Sequence, residues 1–143
     1  MDSDKRFGIQ VGACDKSLGE PIFQLEIESI PVDVFFWDDK KSLNKAANRL
    51  IKKKKNSCAA YVAFKTKDGI WTHELHFIRE WLGVGYVTHE LVHLGVHLIG
   101  LLNPGEITGN REEQFANLVE EAARQFWDKR YALRGRDLIS SPE

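Results

Sequence analysis

The chain has 143 residues, which is enough for one domain with a self-sufficient core. It is 43% hydrophobic and 29% charged, with a formal net charge of −1, so it has no general attraction to nucleic acid or to an anionic membrane. The first residues lack the apolar run of a signal peptide, and the longest mostly apolar stretch, residues 91–102, is too short to span a bilayer. We therefore expect a cytoplasmic protein without membrane association.

Strand patterns dominate the first third of the chain. Residues 23–28 alternate as Phe-Gln-Leu-Glu-Ile-Glu, and a second strand is predicted over residues 31–37. Asp38 and Asp39 then offer helix N-caps, and apolar residues at helical spacing predict a helix that ends near Asn56.

A β-hairpin and two longer helices are predicted in the remainder. The hairpin has strands at residues 58–65 and 70–79, joined by the turn Lys67-Asp68-Gly69. One helix is predicted from about residue 85 to residue 101, before Asn103-Pro104-Gly105, and another from about residue 110 to residue 131. This order predicts an α+β fold in which a small antiparallel or mixed sheet packs on both helices.

We predict a single domain over residues 1–143. Its parts are the N-terminal strands and helix (1–57), the catalytic hairpin and helices (58–131) and a tail (132–143). The two cysteines, Cys14 and Cys58, lack the close CxxC spacing of a zinc finger and are typical of free thiols in an unexported chain. A metal site would have to use other residues.

The helix predicted over residues 85–101 carries His89-Glu90-Leu91-Val92-His93, an HExxH motif. Residues four apart on an α-helix differ by about 40° of rotation and about 6 Å of rise, so two imidazoles can converge on one Zn²⁺. Glu90 lies about 100° from His89, where it can accept a proton from a zinc-bound water and pass it to a departing amine. The alternative without a metal site is that both histidines bond to neighbouring residues and that Glu90 is a solvated surface carboxylate.

Three other histidines fit a metal site less well. His73 and His76 are three residues apart in a predicted strand, so they face opposite sides of the sheet. His97 follows His93 by four residues, but on a straight helix it is about 12 Å along the axis from His89. We therefore predict that His97 is a core residue or one that supports the ligands.

Two adjacent glutamates near the start of the last helix, Glu112 and Glu113, are candidates for the third ligand. They point about 100° apart and are not equivalent. The amphipathic phase of the helix favours Glu112, which lies nearer the apolar stripe. Ala116 and Asn117, three and four residues after Glu113, favour Glu113, because a small residue permits close approach and an amide can bond the free N–H of a ligand histidine.

An HExxH helix followed by a helix with Glu113, Ala116 and Asn117 resembles the gluzincins, and among them the minimal cytosolic and phage-type peptidases, including the ImmA/IrrE type. The resemblance covers roughly residues 58–127 and does not include residues 1–57. It implies peptide-bond hydrolysis, with His89, His93 and Glu113 as zinc ligands and Glu90 as general base. Asn117 stands where Asp is commoner, and either can orient a ligand histidine.

We therefore expect a metalloendopeptidase-like enzyme that uses Zn²⁺ and acts on a protein or peptide. The alternative is a non-hydrolytic zinc-binding module of the same fold that recognises a protein partner, and a weaker one is a DNA-associated protein with an accidental HExxH. The lysine run at residues 52–55 has a bland explanation as favourable charge at a helix C-terminus, and no interleaved aromatic residues indicate nucleic-acid binding. The sequence leaves the oligomeric state open.

Two further expectations concern the surroundings of the metal. The strand at residues 70–79 enters the metal helix directly, so we expect it at a sheet edge, where an extended peptide could add to it. Tyr86 and Tyr131 are both candidates to stabilise an oxyanion. The four tryptophans are expected in the core or in the wall of the cleft: Trp37, Trp71, Trp81 and Trp127.

Overall fold

A computed structural model describes residues 18–105, 109–133 and 140 of the chain. These residues form four strands, three α-helices and one short 3₁₀ turn. In chain order the elements are β1 (Phe23–Ile27), β2 (Ile30–Trp37), α1 (Lys40–Ala47), β3 (Ala59–Lys65), β4 (Trp71–Ile78), the 3₁₀ turn (Arg79–Trp81), α2 (Val84–Leu102) and α3 (Gly109–Ala132). Cys14 and most of the predicted tail lie outside the described residues.

The strands form one mixed sheet in the order β1-β2-β4-β3. The β1–β2 and β3–β4 pairs are antiparallel, whereas β2 and β4 run parallel, with Val34 opposite Leu75 and Phe36 opposite Phe77. The predicted α+β class is confirmed, in its mixed-sheet form.

The prediction that residues 70–79 form a sheet edge is wrong. β4 is paired on both sides, with β2 and with β3, and the edges of the sheet are β1 and β3. The physical reason is burial on both faces: every residue of β4 from His73 to Ile78 is buried, as expected of a central strand.

The sheet is covered on both faces. Alternate residues of β2 point to opposite sides, so Val34 and Phe36 join the core beneath α2 and α3, while Phe35 and Trp37 join the core beneath α1. Residues 57–59, around the start of β3, line one groove together with five residues of the segment that begins α2: Gly83, Gly85, Tyr86, His89 and Glu90.

Helix α1 begins as predicted and ends much earlier. The Asp39 side chain caps its start by accepting a hydrogen bond from the backbone N–H of Ser42 at 2.7 Å. The helix ends at Ala47, not near Asn56, because Asn48 turns its side-chain amide onto the backbone of Lys55 instead of continuing the helix.

Helices α2 and α3 touch at Gly95. A Cβ atom at this position would lie 2.8 Å from Val119 Cγ2 and 3.0 Å from Phe115 Cε1. The start of α3 lies beside the end of α2, where Asn103 Nδ2 donates to Gln114 Oε1 at 2.9 Å. Among the helices of the described residues, none combines the length and hydropathy needed to cross a membrane.

Candidate metal centre

His89 and His93 lie one turn apart on the exposed side of α2, with their ring planes inclined at 74°. Their Nε2 atoms are 3.2 Å apart. Two nitrogens bound to one tetrahedral zinc at about 2.0–2.1 Å are separated by about 3.3–3.4 Å. The pair therefore has the spacing of two imidazole ligands on one ion.

Glu90 lies on the adjoining side of α2, turned toward β3, and is only 7% exposed. Burial raises the pKa of its carboxyl above the ordinary value. The charges of His89 and His93, a hydrogen bond from the backbone of Tyr61 and the charge of Lys55 oppose that rise. Glu90 is thus a shielded carboxylate held against the edge strand, beside the two histidines.

A groove of about 730 Å³ opens in front of Glu90, between the start of β3 and the start of α2. Cys58 is part of its wall, a placement that no sequence signal indicated. Trp81 and Tyr86 stack 6.4 Å apart beside it and line a second, adjoining concavity. The lining residues of the main groove are Ser57, Cys58, Ala59, Gly83, Gly85, Tyr86, His89 and Glu90.

The two candidates for a third ligand, Glu112 and Glu113, are both exposed in the first turns of α3. Within the part of the chain that the structure describes, no three His, Cys, Asp or Glu side chains are close enough to hold one metal ion. The structure therefore brings the two histidines and Glu90 together but does not bring Glu113 to them.

The packing of the helices explains this separation. α3 crosses α2 at Gly95, which points about 200° away from His93 around the helix axis. Contacts with Phe115 and Val119 at that crossing leave Glu113 beyond Gly95, toward the end of α2. The exposed histidines thus face away from α3.

A buried chain of hydrogen bonds lies behind Glu90. The Tyr61 hydroxyl is 2.8 Å from His73 Nδ1 and 2.7 Å from His97 Nδ1. A hydroxyl has one proton, so at most one imidazole can accept from it and at least one must donate to it. His73 Nε2 has no partner among the described residues, so the favourable arrangement protonates His73 at Nδ1 and leaves Nε2 as a bare acceptor. His97 is a core residue, as predicted.

The opposite face of β4 carries a separate network. Trp37 Nε1 donates to His76 Nδ1 at 2.9 Å, and His76 Nε2 lies 2.9 Å from Glu74 Oε1. Arg49 donates to both carboxylate oxygens of Glu74. The prediction that His73 and His76 face opposite sides of the sheet is confirmed, and both belong to the core.

The two tyrosines proposed to stabilise an oxyanion and the four tryptophans lie in different parts of the fold. Tyr86 lines the groove and is 44% exposed, whereas Tyr131 lies near the end of α3. Trp37 belongs to the core and Trp81 is exposed beside the groove, whereas Trp71 and Trp127 are partly buried and line neither concavity.

Comparison with known proteins finds no match: no protein-family model, no curated protein and no solved structure matches this chain. The likeness to the gluzincins stands on its two short motifs, residues 89–93 and 113–117.

Proposed function

We propose that the chain is a zinc-dependent peptidase in which His89 and His93 hold the metal and Glu90 is the general base. The observation that carries this proposal is the 3.2 Å separation of the two Nε2 atoms, which matches two ligands of a tetrahedral zinc. A spacing of 3.2 Å also allows one ring to donate a hydrogen bond to the other, so metal content is what distinguishes the two arrangements. The substrate is a protein or peptide, and the site of action is the cytoplasm.

The chemistry divides between the metal and this chain. A bound Zn²⁺ would polarise the scissile carbonyl and make water a nucleophile at neutral pH. Glu90 takes the proton from the attacking water and delivers it to the leaving amine. A hydrogen bond from the backbone of Tyr61 favours the ionised form of Glu90, which is the form that accepts the proton. Tyr86, in the wall of the groove, is the better placed of the two tyrosines to donate to an oxyanion.

We further propose Glu113 as the third ligand, on the chemistry of its neighbours Ala116 and Asn117. This requires the first turn of α3 to leave the side of α2 that carries Gly95 and to move around α2 to the side that carries the histidines. Zinc affinities of Glu113→Ala and Glu112→Ala, measured side by side, test the assignment. Loss confined to Glu113→Ala supports it, loss confined to Glu112→Ala reverses it, and unchanged affinity in both places the third ligand elsewhere.

Metal content is the first test of the proposal. Protein purified without added zinc and without a histidine tag should contain about one zinc per chain, and His93→Ala should abolish it because one imidazole is lost. Val96→Ala is the matched control, since Val96 is exposed on the same helix, three residues further on. Full zinc occupancy in His93→Ala would remove the basis of the proposal.

The second test concerns Glu90. Glu90→Gln should retain zinc and lose hydrolysis of a fluorogenic peptide library, because the amide cannot accept the proton from water. Glu80→Gln, an exposed glutamate beside the adjoining concavity, is the control that should keep activity. Zinc binding without turnover in the unmodified protein would instead indicate the non-hydrolytic module.

A further inference from the structure

The lysine run at residues 52–55 comes shortly before the residues that line one wall of the groove. All four lysines are exposed, and the next residues along the chain, Ser57 and Cys58, already line the groove. Lys55 is close enough to Glu90 for its charge to act on that carboxylate. The lysine run, which the sequence explained as favourable charge at a helix C-terminus, therefore borders the candidate active site.

This segment is held in place by α1. Asn48 Nδ2 donates to the Lys55 carbonyl at 2.6 Å, and Asn44 bonds both the carbonyl and the N–H of Ser57, at 2.8 and 2.7 Å. Asn48 is 7% exposed, so the clamp itself is buried. Lys54 turns back to donate to the Asn48 carbonyl at 2.8 Å. We call residues 52–55, fixed in this way, the lysine shelf.

The lysine shelf has one acidic group near it, Glu90, but its charge is not neutralised by ion pairs within the described residues. Across the described residues, no ion pair involves any of its four ammonium groups. The whole chain carries −1, so the shelf is a local concentration of positive charge and not a sign of a basic protein. Like charges held side by side repel one another, and an anionic occupant would relieve that repulsion.

We propose that the groove receives an acidic peptide, whose carboxylates lie along the lysine shelf as its chain enters beside Glu90. The inference rests on the proposed peptidase function in taking the occupant to be a peptide. Nucleic acid is the less favoured occupant, because residues 51–58 contain no aromatic side chain on which a base could stack. Lys55, nearest to Glu90, is the principal specificity-determining residue.

Peptide binding tests the inference separately from hydrolysis. The probes are a fluorescent glutamate-rich synthetic peptide and the same peptide with every glutamate replaced by glutamine. Binding is measured by fluorescence anisotropy on full-length Glu90→Gln protein, which leaves the probe uncut. The glutamate peptide should bind about tenfold more tightly than its counterpart, and the difference should shrink at high salt.

Paired charge variants in the same background identify the surface responsible. Lys53→Gln with Lys55→Gln should abolish the preference for the glutamate peptide, and Lys55→Gln alone should reduce it. Lys67→Gln with Lys129→Gln removes the same charge from the β3–β4 turn and from α3, and should leave the preference intact. Lys54 is kept because it bonds the α1 terminus.

Several results would overturn the inference. They are equal binding of the two peptides, an equal loss in both double variants, or tighter binding of a single-stranded oligonucleotide that disappears in the Lys53/Lys55 variant. The zinc and Glu90 experiments report on the peptidase proposal alone, so the two proposals can fail independently.

Discussion

Tyr61 connects three elements through a single side chain and its own backbone. Its hydroxyl bonds His73 on β4 and His97 on α2, and its backbone bonds Glu90. Tyr61→Phe should therefore lower the free energy of unfolding by about 1–3 kcal/mol, because two buried imidazoles lose their shared partner. Urea denaturation measures the change.

Tyr86→Phe is the matched control for this substitution. Tyr86 is 44% exposed, so loss of its hydroxyl should change stability by no more than about 0.5 kcal/mol. Equal stability of the two variants would mean that the hydroxyl of Tyr61 contributes nothing to the fold.

At the scale of single residues, the sequence identified the three residues of the motif and missed much of their surroundings. His89, Glu90 and His93 could be identified because one helical motif contains them all. Cys58 and Lys55 could not, because they reach the groove only through the packing of β3 against α2.

Among the elements, the contact between α2 and α3 depends on a glycine. Gly95→Ala should destabilise the protein by about 1–3 kcal/mol, because the added methyl group would overlap Val119 and Phe115. Thermal unfolding followed by circular dichroism measures the effect.

Gly85→Ala is the control in the same helix. A Cβ there meets no atom within 4 Å, so alanine should be neutral or stabilising. A loss in both variants would mean that helix packing is not the cause.

The element predictions failed where a tertiary contact overrides a local pattern. Leu50 and Ile51 continue the helical spacing of α1, yet Asn48 ends the helix by bonding the loop that follows. The position of β4 in the sheet depends on its parallel pairing with β2, which no local pattern reveals. For the same reason, helix phase could not show that α3 packs on the side of α2 that carries Gly95, away from the histidines.

For the molecule as a whole, we expect two successive losses of stability as the pH falls, one from each face of the sheet. Burial, with a contribution from the charge of His97, lowers the pKa of His73 from 6.5 to about 4. Since the folded-state pKa is the lower one, the unfolded chain binds the proton more readily below pH 6.5. Stability is therefore lost as the pH falls from 6.5 to about 4, by about 3 kcal/mol.

The carboxyl group of Glu74, on the other face of the sheet, affects the stability at lower pH. Burial alone would raise its pKa, but hydrogen bonds and charges from Arg49 and His76 outweigh burial and lower the pKa from 4.5 to about 2. Its contribution is present above pH 4.5 and is lost as the pH falls toward 2.

Denaturation by urea at a series of pH values measures both steps. In His73→Gln the decline that begins near pH 6.5 should be much reduced, while the decline below pH 4.5 remains. His89→Gln, which alters an exposed histidine, is the control and should keep the parent profile when all the proteins are stripped of metal by a chelator. An unchanged first step in His73→Gln would assign it to another group.

The double attachment of Tyr61 also links the wall of the groove to Glu90. Its backbone meets Glu90 and its hydroxyl meets His97, seven residues and about 10 Å further along α2, so strand and helix are joined along that length. Residues 57–59, which line the groove, lead directly into this strand. Moving β3 away from α2 to widen the groove would therefore break both attachments at once.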